Sequence, residues 1–166
     1  MLLPNPFFSG LRGAADRPGP RRLPHTLRVG PHRVVLARTG FAAICPGLPV
    51  RAGPGAVPIL VETVSGWQRI WLQSTGLAGP AVIDGVMIEP ASVGPGECLP
   101  VLPLRGVPVR LGRLALGLRR RRLPGCPVVA QQRLHYTQTA PGITTLTIEL
   151  CEGRIQRLWA TRDMSE

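Results

Sequence analysis

Gly76-Leu-Ala-Gly-Pro-Ala-Val-Ile-Asp-Gly85 sets one acid, Asp84, behind a short β-branched run and directly before a glycine. Two further apolar segments follow it, Cys98-Leu-Pro-Val-Leu-Pro-Leu104 and Val107-Pro-Val-Arg-Leu-Gly-Arg-Leu-Ala-Leu-Gly-Leu118. Short apolar runs of this kind, bounded by Gly and Pro, read as strands, with Gly112 placing a turn inside the second segment. The order predicts a β-domain in which Asp84 stands at a strand end, where a carboxylate can face a cleft.

Working outward, the rest of the chain has the same texture. The 166 residues suffice for one domain with a buried core, and 20 Gly and 19 Pro leave few windows for a long helix. Leu27 to Arg38 holds two apolar runs joined by the turn dipeptide Gly30-Pro31, and Phe41 to Ile44 reads as a third strand before the turn at Cys45-Pro46-Gly47. Val57 to Val64 reads as a strand that Pro58 confines to a sheet edge. Trp67 to Gln73 alternates as a half-buried strand, placing Trp67 and Trp71 on one face. Thr144 to Leu150 and Arg154 to Ala160 alternate cleanly around Glu152-Gly153, the clearest hairpin signal in the chain. Only the window 128–136 has room for a short helix. Three regions are therefore expected: a loosely held arm over 1–24, a β-domain over 25–124 and a C-terminal hairpin extension over 125–166.

Every one of the 20 basic Lys/Arg residues is arginine, and with 9 acids the formal charge is +11. Such a field favours polyanions, nucleic acid or acidic protein surfaces, and Arg119, Arg120, Arg121 and Arg122 form the densest basic patch. Seven aromatic residues offer no evident base-stacking platform. Cys45, Cys98, Cys126 and Cys151 are widely spaced, so no zinc-ligand pattern is present and no metal site is expected. No secretory signal is read in the first 15 residues, and no run reaches the length of a transmembrane helix. An intracellular chain with reduced thiols and no membrane partner is the expectation. His25, His32 and His135 lack neighbours at ligand or triad spacing, so surface or packing roles are expected of them.

In order and spacing, three segments resemble the dUTPase family, including the degenerate dUTPase-related proteins of large DNA viruses. Thr26 to Gly47 resembles the family's run of strand, Pro-Gly turn, strand, Thr-Gly, strand and Pro-Gly. Ala81-Val-Ile-Asp-Gly85 resembles its Gly-Val-Ile-Asp motif, and Gly112-Arg-Leu-Ala-Leu-Gly-Leu118 its Gly-Asp-Arg-Ile-Ala-Gln-Leu strand. The resemblance implies a distorted β-barrel or jelly roll of dUTPase type, carrying the C-terminal hairpin in addition. It also implies that Asp84 orients the attacking water, that Ser74, Thr75 and Gly76 lie in the phosphate loop, and that Met87 faces the sugar.

Departures from the family pattern fall on those same positions. Met87 stands where the family has Tyr, Gln73 where its phosphate loop has Arg, and Leu116 where its fourth motif has Gln. Residues 125–166 lack the Gly-rich arm with its Phe, and Asp16 only echoes the first motif. Phosphate-ester hydrolysis needs charge stabilisation on the phosphate oxygens as well as an oriented water. Without that grip Asp84 reads as a vestigial catalytic residue, or as a turn residue capping backbone N–H groups.

The resemblance therefore implies a non-catalytic dUTPase-related viral protein, without cofactor, that binds host proteins in the nucleus or cytoplasm and modulates signalling or immune response. Its alternative is an active dUTP nucleotide pyrophosphatase using Mg2+. A different resemblance starts from Gly142 to Asp163, which is similar to the last two strands of nuclear-transport-factor-2-like domains such as those appended to bacterial sigma factors. That architecture requires helices near the N-terminus, and residues 1–60 show no helical period.

Overall fold

Cross-strand alternation decides the centre of the molecule. The structure, a computed structural model, describes residues 15–16, 22–44, 46, 55–79, 81–92, 99–119 and 131–164. Strands β9 (Ile143–Cys151) and β10 (Arg154–Asp163) form the expected hairpin. Glu152 and Gly153 turn it with φ of 50° and 75°, the paired positive values that match the twist of flanking strands. Leu146, Ile148, Leu150, Leu158 and Ala160 point to one side, and the intervening residues point to the other.

The fold is all-β, and among the described residues there is no α-helix. The other strands are β1 (Ala15–Asp16), β2 (Thr26–Val29), β3 (His32–Val35), β4 (Gly55–Thr63), β5 (Gly66–Ser74), β6 (Gly85–Pro90), β7 (Val109–Leu111) and β8 (Gln131–Gln138). Seven of them make one sheet in the order β1-β8-β9-β10-β6-β5-β4, and three make a second, β3-β2-β7. All pairings are antiparallel except the short one between β1 and β8. Leu27, Val29, Val34, Val109 and Leu111 of the small sheet share one core with Ile59, Val61, Ile70, Leu72, Val86, Ile88 and the inward residues of β8 to β10. The two sheets thus pack face to face, and neither closes into a barrel.

Several expectations change at the level of elements. Of the extension expected over 125–166, strands β8, β9 and β10 lie inside the large sheet, where β10 pairs with β6 and shares the core with it. Phe41 to Ala43 is a 3-10 turn, not a third strand. A spacing of three puts Phe41 and Ile44 on the same buried side and leaves Ala42 and Ala43 in solvent, which a strand could not do. The apolar run around Val101 is not a regular strand either. It makes a single bridge to Leu60, because Pro100 and Pro103 have no N–H for a ladder. It nevertheless blocks the open edge of β4, whose Leu60 N–H donates to the Pro100 carbonyl at 2.8 Å and whose Leu60 carbonyl accepts from Leu102 at 2.9 Å. Pro58 does lie on that edge strand, as expected. After β7 the chain turns at Gly112 (φ 60°) and folds back through Leu114, so the expected second strand of that segment is one bridge long. The window that had room for a helix contains β8, starting at Gln131.

Candidate functional site

The turn after β5 and the residue before β6 bring Asp84, Ser74, Thr75 and Gly76 together. Asp84 is buried, and both its carboxylate oxygens accept from the Thr75 N–H, at 3.1 and 2.9 Å. The Thr75 hydroxyl donates to the same carboxylate. Two further N–H groups are engaged within the turn, Gly76 N–H on the Ser74 hydroxyl at 3.3 Å and Leu77 N–H on the Thr75 hydroxyl at 3.4 Å. Main-chain bonds lock the acid from both sides, Asp84 N–H to Gln73 O at 2.9 Å and Arg162 N–H to Asp84 O at 2.7 Å. The Thr75 N–H and hydroxyl are thus already taken by a carboxylate, which repels any anion brought to the same turn. The donor set does not fit Mg2+, which needs several oxygen ligands in an octahedron. Among the described residues no group of three or more His, Cys, Asp or Glu side chains could hold a metal ion.

Met87 does not join that cluster. It is 1% exposed and packs between Trp71 and Trp159 on the face of the large sheet that looks away from the small one. Of the basic run only Arg119 lies among the described residues, exposed and bridged to Arg154; Arg120, Arg121 and Arg122 lie outside them. The backbone of Asp16 pairs with His135 in β1.

Two arrangements of arginine were not apparent in the sequence. On the outer face of the small sheet Arg28 stands directly opposite Arg33 of β3 on one side and Arg110 of β7 on the other. All three are exposed, and among the described residues none has an acidic partner. Like charges placed directly across strands oppose sheet formation, so the row costs stability unless an anion lies over it. Each strand carries the signal in the same form, one arginine between inward-facing residues, as in Leu27-Arg28-Val29 and Val109-Arg110-Leu111. The pairing of β2 with β7, about 80 residues apart in the chain, is what turns three separate arginines into a row.

The second arrangement surrounds Arg162, only 7% exposed on the core side of β10. Among the described residues its side chain makes one hydrogen bond, from Nε to the Met164 sulfur, at 3.2 Å. Burial first, and the neighbouring Arg38 second, push its guanidinium below the ordinary arginine value. Asp84 lies next to it across the sheet but is turned to Thr75.

No family model, no curated protein and no solved structure matches this chain.

Proposed function

We infer that this is a non-catalytic β-domain that works by binding an acidic protein partner across the exposed arginine row Arg33–Arg28–Arg110. The observation that carries this reading is the register of β2 with β3 and β7, which sets three guanidinium groups side by side with no carboxylate between them. Arginine forks match carboxylates bidentately, so a segment with several Asp or Glu residues removes the repulsion along the row. Nucleic acid is less well suited, because Trp71 and Trp159 lie buried on the other sheet and offer no stacking platform beside the arginines.

Absence of catalysis is supported at Asp84, whose buried carboxylate is committed to the Thr75 N–H and hydroxyl. A dUTPase-related origin, with a host protein as the partner, is a proposal resting on the order of the segments Thr26–Gly47, Ala81–Gly85 and Val107–Leu118. The large open sheet is not an argument for the barrel that such a relationship implies.

Two measurements test this reading. Purified protein with Mg2+ and dUTP is expected to show no turnover; turnover that Asp84→Asn abolishes overturns the non-catalytic assignment. An oligo-glutamate peptide is expected to bind with an affinity that falls as salt rises, and the triple variant Arg28→Gln/Arg33→Gln/Arg110→Gln is expected to lose most of that binding. Undiminished binding by the triple variant, or selective binding of single-stranded DNA over the peptide, removes the arginine row as a docking surface for acidic protein.

A further inference from the structure

Arg162 lines a cavity of about 390 Å3 together with Arg22, Leu23, His25, Gln138 and Pro141. We propose that this cavity is a binding site for a small oxyanion, a carboxylate or a phosphate on a compact body, held by the guanidinium of Arg162 with Arg22 at the rim. The site is separate from the arginine row, and its existence does not depend on the function proposed for that row.

Arg162 is 7% exposed, and a guanidinium so placed ordinarily has a carboxylate or several carbonyl oxygens around it, because water reaching it only through a cavity solvates its charge incompletely. Among the described residues its two terminal nitrogens have no hydrogen-bond acceptor, and its Nε has only a thioether sulfur, a weak one. Arg38 nearby adds a second positive charge and no compensation. The neighbouring acid, Asp84, makes no ion pair with Arg162, being committed to Thr75. An oxyanion in the cavity supplies the missing acceptors in the bidentate geometry that guanidinium favours.

The walls are built, not incidental. Gln138 accepts from the Leu23 N–H at 2.8 Å and donates to the Ala140 carbonyl at 2.7 Å, so its amide clamps two sides of the cavity. The His25 ring is tied to the Leu23 carbonyl at 3.3 Å, where Nδ1 is the donor. Leu23 and Pro141 provide apolar surface for the body that carries the anion. A volume of this size lies in the usual range for small-molecule sites, which pair apolar walls with a few placed polar groups.

The experiment is thermal unfolding and isothermal titration of the full chain with two probes, inorganic phosphate and benzoate, at fixed ionic strength set with chloride. Saturable binding of one probe per chain is expected, with a rise in melting temperature. The probe that binds more tightly tells whether phosphate or carboxylate is the natural head group. Arg162→Met is expected to melt at the same temperature or higher without probe, since it removes an uncompensated charge, and to lose roughly ten- to hundredfold in affinity. Arg22→Gln, a change at an exposed side chain that leaves the fold intact, is expected to bind several-fold more weakly and serves if Arg162→Met does not fold. The triple variant of Arg28, Arg33 and Arg110 is expected to bind the probes normally, which separates this site from the arginine row. No saturable response to either probe, or equal binding by the wild type and by the Arg162 and Arg22 variants, overturns the proposal.

Discussion

Asp84 shows how one side chain can hold a turn together. Its oxygens take the Thr75 N–H and hydroxyl, so the loop between β5 and β6 closes on a charge. Replacing it with Ala removes the charged acceptor of the Thr75 N–H and hydroxyl, which lie at an exposed turn and can turn to water, and Asp84→Ala is expected to lower stability by about 1–2 kcal/mol in urea unfolding. Gly142 is a second position where one atom matters. Its φ is 69°, and a Cβ there would run into the Asp163 carbonyl oxygen and lie 2.7 Å from the Met164 sulfur. Gly142→Ala is therefore expected to destabilise by at least ~1 kcal/mol, since the strained backbone and the overlap add. The importance of Asp84 was legible in the sequence from its place after Val82-Ile83 and before Gly85. Its partner was not, because Thr75 is nine residues away and only the return of β6 beside β5 brings them together.

Among the elements, the outward face of the large sheet is organised in rows across the strands. One row runs Arg133, Glu149, Arg157, Glu89, Arg69, alternating in sign over five neighbouring strands. Glu89 sits in it under Arg69 at 3.3 Å and Arg157 at 3.1 Å, and also accepts from Trp71 Nε1 at 2.9 Å. The next row holds Trp159, Met87 and Trp71, with Arg133 and Arg157 stacked over the Trp159 ring at 5.6 and 5.5 Å. Arginine stems thus bury tryptophans on a face that the second sheet does not cover. A third row carries hydroxyls, with Thr145 and Thr161 bonded at 2.6 Å. Glu89→Ala removes the acceptor of two arginines and an indole, and is expected to cost about 2 kcal/mol, less than a fully buried pair because Arg157 is partly in solvent. Equilibrium unfolding of that variant beside Glu62→Ala checks it, since Glu62 meets only the exposed Arg105 at 3.8 Å and its loss is expected to be nearly neutral. Alternation made these strands readable one at a time. Register made the rows, and register depends on the partner.

For the whole molecule, the decisive fact is that the C-terminal strands sit in the interior of the large sheet. β10 pairs with β6, and Leu134, Leu146, Ile148, Leu150, Ile155 and Leu158 are part of the common core. Full burial of each such side chain contributes about 1.5–3 kcal/mol, so losing six of them removes as much as a typical domain's entire net stability. A chain ending at Pro124 is accordingly expected to show no cooperative transition in urea and no near-ultraviolet circular dichroism. A cooperative unfolding curve from that fragment would mean that 25–124 folds as a unit of its own.

The all-β class, the hairpin over Glu152-Gly153, the edge position of Pro58 and the turn at Gly30-Pro31 follow from residue order alone. They are local: each is decided by backbone preferences and by alternation within about ten residues. The central place of the hairpin, the Thr75 cap on Asp84, the row of Arg28, Arg33 and Arg110, and the place of Arg162 on a cavity wall came only with the tertiary structure. Each depends on which strands lie side by side, and that is settled by how two apolar sheet faces bury one another across long separations in the chain.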